Sequence, residues 1–177
     1  MKLVILDRDG VINYDSPSYI KSPEEWKPIP GSLEAIAQLN QGGYHVVVAS
    51  NQSGIGRGLF DMATLNAIHD KMHRALGQLG GRIDAIFYCP HANEALCECR
   101  KPRAGLLEEI AHRFNMSLRG VPSIGDAQRD LEAAATVSAQ PILVLTGKGE
   151  KTREAGGLPA GTLVFADLSK VAQSLLQ

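Results

Sequence analysis

The chain has 177 residues, with 18 lysines and arginines against 19 acids and a formal net charge of −1. That balance excludes non-specific nucleic-acid binding as the main task, and no Lys/Arg block suggests a basic tail. With 44% apolar and 21% charged residues, and no apolar run near the ~18 residues needed to span a bilayer, a soluble, cytoplasmic protein without a membrane partner is expected. At ~150 residues per domain, 1–177 reads as one domain, and a monomer is expected. A chain this long folds without disulfide staples. Its three cysteines, at 89, 97 and 99, would share an 11-residue window by chance on the order of one per cent of the time, so their spacing needs a reason.

Lys2 to Leu6 is a short aliphatic run closed by Asp7-Arg8-Asp9-Gly10. It predicts a buried parallel strand ending in a turn. A polar loop with four prolines covers 13–30. Pro30-Gly31-Ser32 then opens a helix that Gly42-Gly43 ends. Tyr44 to Ala49 predicts a second strand, followed by the glycine-rich turn Ser50 to Gly58. A helix is expected from Met62 to Leu79, with Leu65, Ile68, Met72 and Leu76 on one face, and a strand from Arg82 to Tyr88. The remaining expectations are a helix from Pro102 or Arg103 to Phe114, a strand at Val121 to Ile124 and a helix from Asp130 to about Val137. After these come strands at Pro141 to Leu145 and Thr162 to Phe165, separated by a Gly- and Lys-rich loop over 146–161, and a closing helix from Leu168. Strands alternating with helices predict an α/β fold: a mostly parallel central sheet covered on both faces. Ligands in such folds sit beyond the carboxyl ends of the strands.

Strand one ends in Asp7 and Asp9, and strand four in Asp126. Three carboxylates on one edge repel each other unless a cation neutralises them, and Mg²⁺ is a hard, oxygen-binding candidate. Ser50 and Asn51 follow strand two, where a hydroxyl and backbone N–H groups in a glycine-rich turn suit a phosphate oxyanion, although a capping serine fits the same position. Lys101, before Pro102, adds a positive charge, or belongs to a solvated basic pair with Arg100.

Asp7-x-Asp9-Gly10, Ser50, Lys101 and Gly125-Asp126-x-x-x-Asp130, in that order, resemble the four motifs of the haloacid dehalogenase (HAD) superfamily. The resemblance implies a Rossmann-like three-layer sandwich, capless or minimally capped, that carries out phosphoryl transfer. It implies that Asp7 is the nucleophile and that Asp9 is the general acid, then base. It also implies Mg²⁺ held by Asp7, the Asp9 backbone carbonyl and Asp126, with Ser50 and Lys101 binding the transferring phosphoryl oxygens. Asp130 either orients the Asp126 loop or caps the next helix, and capping is favoured.

The segment Cys89-Pro90-His91 to Cys97-Glu98-Cys99 offers three thiolates and one imidazole, a set that suits structural Zn²⁺. Free thiols beside a surface histidine are the plainer alternative. A zinc loop over 89–99 would stiffen a stretch with almost no apolar anchor, directly before Arg100-Lys101.

CPH…CxCRKP, DRDGVIN and NQSGIGRG are together similar to the D-glycero-D-manno-heptose-1,7-bisphosphate 7-phosphatases, bacterial enzymes of heptose synthesis for the lipopolysaccharide core. That implies a small phosphorylated sugar as substrate. Histidinol-phosphate phosphatases share much of the pattern and are the alternative. Ser53 and Arg57 favour the heptose enzymes. Ser50 stands where threonine is common, and Ala127 where some members carry lysine. Asp15, Ser16, Ser18 and Tyr19 are candidates for the sugar hydroxyls. Asn51, Gln52, Ser53 and Arg57 flank the phosphate turn, and Arg100 is expected to pair with the non-reacting phosphate. Tyr19 and Trp26 either contact substrate or pack the loop. His45, His69, His73 and His112 are read as structural.

Overall fold

The first strand, β1 (Lys2–Leu6), turns Val4 and Leu6 to one face and Leu3 and Ile5 to the other, and all four are buried. A strand apolar on both faces needs cover on both. The computed structural model, which describes residues 1–92 and 94–177, supplies it with helices. In chain order the elements are α1 (Ser32–Gln41), β2 (Tyr44–Asn51), α2 (Ser53–Gly56), α3 (Met62–Gly77), β3 (Ala85–Cys89) and α4 (Gly105–Arg113). There follow β4 (Pro122–Gly125), α5 (Gln128–Thr136), β5 (Gln140–Val144), α6 (Gly149–Ala155), β6 (Leu163–Phe165) and α7 (Leu168–Leu175).

Six strands form one sheet in the order β3-β2-β1-β4-β5-β6, and every pairing is parallel. Helices α1, α3 and α7 pack on one face, with Leu33, Ile36 and Leu39, then Ile68, Met72 and Leu76, then Leu168 and Val171, against Val4, Leu6, Val46 and Val48. Helices α4 and α5 cover the other through Leu106, Leu107, Ile110, Ala133 and Ala134. This is the Rossmann-like three-layer sandwich. The chain leaves β1 towards β2 and β3 and returns on the other side as β4. The switch in direction therefore lies between β1 and β4, where an open α/β sheet has its crevice. Among the described residues no helix is long and apolar enough to cross a membrane.

The chain departs from the sequence reading in several places, three of which bear on the fold around the site. Residues 149–155 form α6 inside a stretch expected to be a loop, and Ser53–Gly56 forms a short helix in the glycine-rich turn. Both are too short to show an apolar period. β3 begins at Ala85, not Arg82: the Arg82 N–H donates to the Asn40 side chain at 2.7 Å, and the Asp84 carboxylate takes the Val46 N–H at 3.0 Å. Trp26 packs the loop. It is 1% exposed, and Lys71 Nζ donates to the carbonyls of Pro23 (2.6 Å) and Trp26 (2.9 Å), pinning 23–26 to α3.

Candidate active site

A tight turn aims Asp7 and Asp9 at the crevice. The Arg8 carbonyl accepts from the N–H groups of Val11, Ile12 and Asn13, and the Asp7 N–H donates to Ile124 across the switch point at 2.9 Å. Gly10 sits at φ +86°, and a Cβ there would strike the Asp126 carboxylate, so only glycine lets β1's turn lie against β4's. Asp126 is held by the segment after β5. Lys148 N–H donates to its Oδ2 at 2.9 Å, Thr152 Oγ1 donates to its carbonyl at 2.7 Å, and Thr146 Oγ1 reaches the Gly10 carbonyl at 2.6 Å.

Lys101 is buried beneath these groups. Its ammonium donates to the Ala49 carbonyl and to Asp130 Oδ1 (2.9 Å), and lies 3.6 Å from Asp7 Oδ1. Burial opposes its charge, but Asp130 and Asp7 outweigh that and hold its pKa above the ordinary lysine value. Asn51 clamps the same residue: its Nδ2 donates to the Lys101 carbonyl at 3.2 Å and its Oδ1 accepts the Lys101 N–H at 3.0 Å. Asp130 does more than begin a helix. Its Oδ2 accepts the Ala127 N–H at 3.1 Å at the start of α5, while Oδ1 holds Lys101. Ser50, 1% exposed, accepts from Gln52 Nε2 at 2.7 Å.

The carboxylate oxygens of Asp7, Asp126 and Asp130 lie within 4.8 Å of one another. Burial and the charge of Asp130 push Asp7 well up, and the same two causes push Asp126 up to about 7. A buried acid cluster of this kind fits a hard cation. Since Asp130 already spends both oxygens on Lys101 and Ala127, the side chains open to a cation are those of Asp7 and Asp126. Asp9 behaves differently. Burial raises its pKa, but the charge and hydrogen bond of Arg8, with help from Asn13 and Gln52, bring it below the ordinary carboxylate value.

A cleft of about 220 Å³ opens above these residues, lined by Asp15, Ser16, Tyr19, Asn51, Gln52 and Ser53 and walled by Arg100, Arg129 and Lys148. Ser18 does not line it and faces a neighbouring depression beside Lys21 and Glu24. Arg57 stands outside the lining: its guanidinium lies 6.0 Å from the Tyr19 ring centre and 3.9 Å from Glu94. The sequence reading missed Arg129 and Lys148. Arg129 was findable between Asp126 and Asp130, at the strand end already singled out. Lys148 was hidden inside the presumed loop. Arg100 Nη1 is buried without a hydrogen-bond partner among the described residues. Burial, then the charges of Arg129 and Arg57, lower its pKa. These are the marks of a cation awaiting an anion.

At the end of β3, Cys89, His91, Cys97 and Cys99 place their donor atoms within 4.8 Å of one another. His91 Nδ1 lies 3.4 Å from the Cys89 sulfur and 3.2 Å from that of Cys99. The Cys97 sulfur is 3.8 Å from Cys89, and the sulfurs of Cys89 and Cys99 touch. The loop is tied to the cleft: the Gln52 N–H donates to the Cys89 carbonyl and the Gly56 N–H to that of Pro90, both at 2.8 Å.

A HAD-hydrolase-like family model matches residues 98–171. A D-glycero-β-D-manno-heptose-1,7-bisphosphate 7-phosphatase of Bordetella bronchiseptica is 60% identical over 177 residues, covering 100% of this chain and 99% of the relative. The chain belongs to the family of D-glycero-β-D-manno-heptose-1,7-bisphosphate 7-phosphatases. A second member, from Pseudomonas putida, is 54% identical over 99% of this chain and 100% of its own length. The solved structure of the B. bronchiseptica D,D-heptose 1,7-bisphosphate phosphatase, complexed with magnesium and phosphate, superposes with a TM-score of 0.99 at 60% identity, over 100% of this chain and 99% of that one. The chain is thus a HAD phosphatase, a phosphoric monoester hydrolase of this 7-phosphatase family.

Proposed function

We propose that the chain removes the 7-phosphate of D-glycero-β-D-manno-heptose 1,7-bisphosphate within one domain spanning 1–177. The observation that carries the substrate class is the pair Arg100 and Arg129 on one wall of a cleft whose floor holds Asp7 and Lys101. The floor suits the reacting phosphate, and Arg100 Nη1, without a hydrogen-bond partner among the described residues, is offered to a second. The relatives' names supply the sugar and the β anomer.

On this reading Asp7 attacks phosphorus, the bond between phosphorus and the C7 oxygen breaks, and its electrons leave with the sugar alkoxide, which takes a proton from Asp9. Asp9 then accepts a proton from water as that water attacks the aspartyl-phosphate, releasing inorganic phosphate and restoring Asp7. Ser50 and Lys101 hold the phosphoryl oxygens as charge builds on them. Magnesium, held by Asp7, the Asp9 carbonyl and Asp126, would supply positive charge to the same oxygens when bound. Asp15, Ser16 and Tyr19 face the sugar. Asn51 acts by fixing Lys101, and Gln52 by fixing Ser50.

A structural zinc on Cys89, His91, Cys97 and Cys99 completes the proposal. A disulfide would need only two sulfurs, whereas four zinc-type donors converge here, with none of the chain's cysteines left over.

A substrate panel tests the reading. Heptose 1,7-bisphosphate of both anomers is compared with histidinol phosphate, with Asp7→Asn as the blank. The β-bisphosphate is expected to give the highest kcat/KM. Faster turnover of histidinol phosphate would overturn the assignment.

A further inference from the structure

Arg8 is fully buried beside the candidate general acid, and its three nitrogens go three ways. Nε donates to Asp9 Oδ1 at 2.9 Å, Nη1 meets His69 Nε2 at 3.1 Å, and Nη2 reaches Gln52 Oε1 at 3.4 Å. Asp9 is its one ion-pair partner among the described residues. Asn13 Nδ2 donates to the same oxygen, Asp9 Oδ1, at 3.0 Å. Two donors on Oδ1 leave that atom no room for a proton, so a proton on Asp9 belongs on Oδ2, and Asp9 lines the cleft.

His69 lies on α3, in the layer behind the sheet's carboxyl edge, and is 7% exposed. A guanidinium only donates, so Nε2 of His69 must accept and its proton sits on Nδ1. Burial, then the charge of Arg8, lowers its pKa to about 3, which keeps the imidazole a neutral acceptor.

We propose that His69, through Arg8, positions Asp9, so that the proton-bearing oxygen of the general acid is presented to the leaving group of the substrate. A planar fork can do this where a lysine could not, because each arm has a fixed direction. His69 and Arg8 are positioning residues, and neither touches the reacting atoms.

The proposal rests on Asp9 being the general acid, and the experiment separates the two ideas. kcat/KM, which reports phosphoryl transfer to Asp7 and not the later attack of water that also uses Asp9, is measured on heptose bisphosphate, whose sugar alkoxide needs a proton to leave, and on p-nitrophenyl phosphate, whose phenolate does not. Asp9→Asn is expected to lose far more on the sugar phosphate; equal loss on both would remove the general-acid reading and this inference with it. With that control in place, His69→Phe is expected to lower kcat/KM on the sugar phosphate ~10- to 100-fold, a part of the 10²–10⁴ that general acids supply, and to leave the aryl phosphate within about threefold. His69→Gln, whose amide oxygen can accept from Arg8, is expected to restore most of the loss. Equal losses on both substrates, no loss on either, or a glutamine variant no better than phenylalanine would overturn the proposal while leaving Asp9's role intact.

Discussion

At Arg100 and Arg129 two cations share one wall of the cleft, and their surroundings divide their tasks. Burial opposes the charge of Arg129, but Asp130, Asp7 and Asp126 outweigh it and raise its pKa, so its charge is compensated from below. Among the described residues no carboxylate raises the pKa of Arg100, and its Nη1 has no hydrogen-bond partner. A second phosphate on the substrate would pair it. Arg100→Ala should therefore lower kcat/KM for the bisphosphate by roughly 10²-fold, since losing a designed polar partner leaves buried charge unmatched, and should change a heptose monophosphate's value only a few-fold. Equal losses on the two would take the second phosphate away from Arg100.

At the scale of elements, the stretch from Thr146 through α6 works as a brace on Asp126. Thr146, Lys148 and Thr152 each contribute one hydrogen bond to Gly10 or Asp126. Gly147 passes between at φ +56°, where a Cβ would strike both the Asp126 carboxylate and Gly10. Gly147→Ala should shift Asp126 and raise the Mg²⁺ concentration for half-maximal activity by ~10-fold or more, the usual size of an outer-shell effect. A titration of activity against Mg²⁺ reads it directly. With the proposed zinc bound, the loop over 89–99 would be the corresponding brace for Arg100 and Lys101. Enzyme stripped of zinc but loaded with Mg²⁺ should be markedly less active and less resistant to proteolysis in that loop. Full activity in a metal-analysed, zinc-free sample would show that the clamp is not needed.

Across the whole molecule, folding gathers Asp7, Asp126 and Asp130 into one buried site in a chain of nearly zero net charge. Asp126 has its pKa raised from 3.8 to about 7 in the metal-free fold, by burial first and Asp130 second. A group raised on folding lends stability while it is protonated, and that contribution fades as pH climbs from near 4 through about 7. Metal-free protein should therefore melt at lower temperature at about pH 8 than at about pH 5. Added Mg²⁺ should stabilise more at the higher pH, where no proton competes for the site. Thermal unfolding with EDTA or with Mg²⁺, at both pH values, checks the sign; a Mg²⁺ increment that shrinks with rising pH would contradict it.

Residue order alone determined the alternation of strands and helices, the carboxylates at the ends of β1 and β4, and the cysteine cluster. These are local signals: apolar runs closed by turns, and a spacing that chance rarely produces. The motif resemblance supplied the phosphatase chemistry from the same short stretches. Only the tertiary structure decided that Asp130 holds Lys101, that Asn51 clamps a backbone rather than facing substrate alone, that Ser18 and Arg57 stand off the cleft, and that α6 braces Asp126. Arg8 and His69 show why. They are 61 residues apart; Arg8 lies between the two acids of the DRDGVIN run and His69 on α3, and no spacing links them. Their meaning comes from a buried hydrogen bond between two layers, and such a bond exists only once the sheet has closed over it.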